Sequence, residues 1–174
     1  NITFTVDDLP EAYAIPTNLT TVCDDELDPT DQDGLFAFDT SSFQSTILGT
    51  QTGMLVNYFD ETGNSLPSPL PNPLVSGTQN ITVEVINPVN TICKATMIIP
   101  LIVNPLPEIE LYGDELICSN NPLFTKVINA GLLDETTVSN FTYQWFLDGS
   151  IIFTATNYDL TVNTEGVYTV EVTN

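Results

Sequence analysis

The residues most able to do chemistry lie in one stretch, CDDELDPTDQDGLFAFD, from Cys23 to Asp39. Seven acids fall within the sixteen residues Asp24 to Asp39. Carboxylates at that density repel one another, so folding them together calls for a cation or full solvation. Hard oxygen donors suit calcium, and Asp31-x-Asp33-Gly34 has the alternation and the turn glycine of the middle of a calcium loop. The pattern is not a complete EF-hand. With Gly34 at position 6, position 1 is Pro29 and position 12 is Thr40, whereas the motif needs an acid or amide and a bidentate Glu there. The expected ligand set is therefore a non-helical one: Asp24, Asp25, Asp28, Asp31, Asp33 and Asp39, holding Ca2+. The alternative is a solvated acidic loop.

Other chemistry is poorly supplied. The 174 residues contain no His, two Lys and no Arg, and carry a net charge of −21. A missing histidine removes the commonest general base and zinc ligand. So anionic a chain has no electrostatic route to nucleic acid, and anionic membranes repel it. No apolar run is long enough to span a bilayer. The crowded acids do not form the spaced carboxylate pair of a glycoside hydrolase, and no enzyme activity is expected. At 42% hydrophobic residues, the chain is expected to fold rather than remain disordered.

The elements that must position the acidic stretch read as strands. LFAFD (35–39), MLVNYFD (54–60), NITVEVIN (80–87) and ATMIIPLIV (95–103) alternate or run apolar, and ETGN (61–64) is a turn between two of them. SSFQSTILG (41–49) is a helical turn or a loop. LPSPLPNPL (66–74) has proline at every second position, which restricts it to an extended crossover or an edge. Later come TKVINAG (125–131), YQWFLDG (143–149) with a tight Asp148-Gly149 turn, SIIFTATN (150–157), YDLTVN (158–163) and GVYTVEVTN (166–174). Short strands with frequent turn signals predict an all-β fold of two consecutive immunoglobulin-like sandwich units. Trp145 and Tyr143 share one strand face and are expected in a core. Exposed, they or Tyr58 and Phe59 would make a sugar-binding platform.

Three landmarks recur in order. LPE begins at 9 and 106, cysteines stand at 23 and 118, and VEV begins at 83 and 170. The chain thus reads as a tandem repeat: residues 1–9 as the last strand of a preceding unit, 10–107 as one unit, and 108–174 as a second lacking its last strand. On this alignment the partner of Cys118 falls beyond Asn174, and Cys23 is expected to pair with Cys93.

YQWFLDG and EGVYTVEVTN resemble immunoglobulin-like and polycystic-kidney-disease-type repeats of bacterial surface proteins. The combination VCDD…DGLFAFD, LPNPL, ITVEV, Cys93 and LIVNPLP is similar to repeats of very large secreted Bacteroidetes proteins, including gliding-motility adhesins exported by the type nine secretion system. That resemblance implies an extracellular, non-catalytic stalk or adhesin segment whose partners are neighbouring repeats and a surface polysaccharide or other extracellular ligand. A carbohydrate-binding module or an accessory domain of a secreted enzyme is the alternative.

Overall fold

A computed structural model describes residues 9–26, 31–114, 116 and 125–174. The expected strand at 2–6, Asp28 and Cys118 lie outside them. The described residues fall into two compact units. The first draws on residues up to 25 and on 32–105, and the second on 26–31 and 106–174. The fold is all-β, with one short α-helix and two 3-10 turns among the described residues.

The first unit is built on one antiparallel hairpin. β6 (Gln79–Ile86) pairs with β7 (Lys94–Asn104) from Gln79↔Leu101 to Ile86↔Lys94. Alternation turns Ile81, Val83 and Val85 inward from β6, and Ile99 and Leu101 from β7. Each inward side chain is fully buried, which stabilises the fold by roughly 2 kcal/mol apiece. β3 (Leu55–Phe59) adds to the other side of β6, with Leu55 opposite Ile86, and the two-residue β4 (Ser65–Leu66) follows it. β1 (Thr21–Cys23) lies parallel to the far end of β7, with Thr21↔Ile102 and Cys23↔Asn104. The sheet order is β1-β7-β6-β3-β4.

Pro100 lies just before the part of β7 that β1 covers. Proline cannot donate a ladder hydrogen bond. The β1 register begins at Ile102, so the proline meets β6 on one side and no strand on the other.

A second, two-stranded sheet covers the same core. β2 (Phe36–Phe38) pairs with β5 (Leu74–Ser76), and Phe38 is buried beside Phe43 and Ile47. Those last two belong to α1 (Phe43–Leu48), whose i, i+4 spacing places both on one face. The proline-rich segment runs as the expected edge connection from β4 to β5, with cis bonds before Pro69 and Pro73. It is tied down where Thr40 Oγ1 donates to the Pro71 carbonyl at 2.7 Å.

The second unit has two small sheets around a core of its own. β8 (Lys126–Asn129) pairs with β11 (Asp159–Val162). β9 (Thr142–Leu147) lies between β10 (Ser150–Ile151) and β12 (Tyr168–Thr173). Asp148 and Gly149 both have positive φ, the backbone of a tight hairpin turn. Trp145 is 3% exposed and donates its indole N–H to the Asn157 carbonyl at 2.9 Å. Tyr143 is buried beside it, and Ile128, Leu160, Val170 and Val172 pack on the same core.

Tyr58 carries an unusual burden. It is fully buried in the first core, yet its hydroxyl has no hydrogen-bond partner. Burial pushes the phenol up to about 12 from its ordinary 10. The ionised form is disfavoured in the folded state, so this group's contribution to stability is intact below pH 10 and is lost as the pH rises through 12. Tyr58→Phe removes an unsatisfied buried hydroxyl without leaving a cavity. It is expected to raise stability by about 1 kcal/mol at pH 7 and to flatten the loss between pH 10 and 12. Urea denaturation of both proteins at several pH values checks this.

Candidate functional site

The acidic loop leaves β1 at Cys23. The Asp24 N–H donates to the Asn104 carbonyl at 2.9 Å, extending the β1–β7 pairing by one residue. That anchor turns the Asp24 side chain inward, where it is 4% exposed. Its Oδ2 accepts the Gly34 N–H at 2.8 Å. Its Oδ1 is buried with no hydrogen-bond partner, as is Oε2 of Glu26. Asp33 turns the loop back by accepting the Leu35 N–H on Oδ1 at 2.8 Å. Within the first unit, one carboxylate oxygen each from Asp24 and Asp33 lie within 4.8 Å of one another.

Of the six predicted ligands, the fold brings Asp24 and Asp33 together. Asp25 and Asp31 are exposed and stand outside the group. Asp39 is spent elsewhere. It accepts the Ser41 N–H at 3.0 Å at the entry to α1, and its hydrogen bonds with Ser41 pull its carboxyl below the usual range. Asp28 lies outside the described residues.

Asp60, in the ETGN turn, shows an acid that the fold satisfies by itself. Its oxygens accept from the Thr62 N–H and hydroxyl and from the Asn64 N–H and side-chain amide, at 2.8–3.0 Å. Those bonds hold its carboxyl down to about 2. Because the folded value is depressed, the stability it brings is present above the unfolded value near 4 and is lost as the pH falls through 2. A carbon-detected NMR titration is expected to give Asp60 a midpoint near 2, with Thr62 and Asn64 amide shifts following it.

The expected Cys23–Cys93 disulfide is corrected by the fold. Both thiols are free, Cys23 exposed and Cys93 half-buried. Cys23 stands opposite Asn104, the last residue of β7, whereas Cys93 immediately precedes Lys94, the first. At about 3.3 Å per residue, the length of β7 separates them by roughly 35 Å. A disulfide needs Cα atoms within about 7 Å. The repeat alignment gave the order of the cysteines but not that one unbroken strand lies between them.

Cys93 sits at the neck of the β6–β7 turn, with its carbonyl accepting the Asn87 N–H at 3.0 Å. The side chains of Asn87 and Asn90 accept the N–H groups of Val89 and Ile92 and fix the turn. That leaves Val89 and Ile92 82% and 90% exposed beside the thiol. Of the aromatics considered for a sugar platform, Tyr58, Tyr143 and Trp145 are buried and Phe59 is half-buried.

Residues 18–107 match the family model of the Flavobacterium inter-domain disulphide bond domain. The chain belongs to this family. The match covers β1 to β7 and so includes Cys23, Cys93 and the acidic loop of the Flavobacterium domain. No curated protein and no solved structure matches the chain.

Gly34 is the hinge of the domain's acidic loop. Its φ of +71° suits glycine, and an added Cβ would meet nothing within 4 Å. Gly34→Ala is therefore expected to cost about 1 kcal/mol through backbone strain alone, whereas a loop that rearranges freely would lose nothing. Thermal melts of the two proteins decide between them.

Proposed function

We propose that this chain is a structural, non-catalytic segment of a multi-domain extracellular Bacteroidetes protein, and that its cysteines join neighbouring domains covalently. The observation that carries this reading is the placement of Cys23 and Cys93 at opposite ends of β7. Neither can reach the other, and each stands where a second domain can approach. The family's description as an inter-domain disulphide bond domain supports the same reading. So does the apolar turn around Cys93, where exposed Val89 and Ile92 would pack against whatever brings the second sulfur. Disulfides persist in oxidising compartments, which fits a secreted or surface location.

The finer reading is a tandem array, of the kind found in surface and gliding-motility adhesins exported by the type nine system. The recurring LPE, cysteine and VEV landmarks support it. In such an array the partners are neighbouring repeats, and a surface polysaccharide is a further ligand class for the assembled protein.

Peptide mapping of the oxidised protein under non-reducing conditions tests the disulfide reading. Cys23 and Cys93 are each expected in linked peptides that do not join them to one another, the other half carrying Cys118 or a cysteine of a neighbouring domain or another copy. Recovery of Cys23 linked to Cys93 would overturn the proposal. So would full alkylation of both thiols in protein purified from an oxidising compartment.

A further inference from the structure

We propose that the acidic loop following Cys23 is a calcium site anchored by Asp24 and completed on its open side by Asp33. The argument rests on the state of Asp24 rather than on the number of acids around it. An aspartate that is 4% exposed has given up most of its hydration, and an ionised carboxylate in that position needs partners for both oxygens. The chain supplies one, the Gly34 N–H on Oδ2 at 2.8 Å, and leaves Oδ1 bare. Asp60 makes the contrast, since the same side chain elsewhere in the unit gathers donors from Thr62 and Asn64 on both oxygens. At Asp24 the loop brings further carboxylate oxygen, from Asp33, where donors are wanted. That arrangement is repulsive without a cation and favourable with one.

Lys94 lies at the opposite end of β7, paired with Glu84 at 2.5 Å. The donor set selects the ion. It is all oxygen, with no imidazole and no thiolate in the group, which favours a hard cation over zinc or copper. Oxygens bound to one calcium at 2.3–2.6 Å lie up to about 5 Å apart, and the 4.8 Å group fits within that span. Carboxylates on an irregular loop with one exposed member also suit calcium's flexible coordination, which water completes, better than magnesium's strict octahedron.

The test is isothermal titration of the chelator-treated full chain with calcium chloride, under reducing conditions so that disulfide state plays no part. Saturable binding of one equivalent is expected, with magnesium weaker, together with a rise in Tm of about 5 °C or more when the free ion is about a hundredfold above Kd. Asp24→Asn and Asp33→Asn should each weaken binding by at least tenfold, while Asp60→Asn leaves it unchanged. Asp24→Asn should also melt no lower than the wild type in chelator, because it removes a buried, half-partnered charge. A residue that was merely structural would lower that Tm instead. Asp33 is exposed, so Asp33→Asn settles the matter should Asp24→Asn not fold. Absence of saturable binding up to about 10 mM calcium, beyond the weak extracellular range, would overturn the proposal. So would unchanged binding in a folded Asp24→Asn or in Asp33→Asn.

Discussion

The β6–β7 pairing is the constraint on which the first unit depends. Its eight register pairs from Gln79↔Leu101 to Ile86↔Lys94 set which side chains of both strands face inward. A one-residue slip of β6 against β7 would turn Ile81, Val83 and Val85 to solvent together. Everything functional is hung on its ends. The turn that closes it presents Cys93. The opposite end of β7 holds β1, and through it Cys23 and Asp24.

Most strands were legible because each has a local cause, although β1 (Thr21–Cys23) was not among those expected and SIIFTATN is strand only at Ser150–Ile151. Alternation in NITVEVIN and GVYTVEVTN and the turn chemistry of ETGN and Asp148-Gly149 are properties of neighbouring residues, and the elements fall where those signals lie. The aromatic anchor Trp145 was legible for the same reason, since a single tryptophan in an alternating strand needs a core. The helix at 43–48 reads in sequence equally as a helical turn or a loop, because six residues carry little periodicity.

The site was less legible because its logic is long-range. Asp31-x-Asp33-Gly34 drew attention by resembling a motif, but what buries a carboxylate is the pairing of Asp24 with Asn104, eighty residues away. Nothing in the spacing of acids encodes that bond. The cysteines show the same limit. Their order in the repeat was readable, and so was the strand through Pro100, but their separation depends on Cys23 pairing with Asn104 at that strand's far end, which no local signal encodes.

The short parallel contact between β1 and β7 has a mechanical meaning. β1 is reached from the chain's N-terminal side, and β7 hands the chain on at Asn104, with both strands pointing the same way. Tension applied along the polypeptide would draw β1 back and β7 forward. The hydrogen bonds from Ile102 to Thr20 and from Asp24 to Asn104 would then be sheared side by side rather than unzipped in turn. The sheet's weakest-looking strand is thus the one placed to act as a clasp against extension.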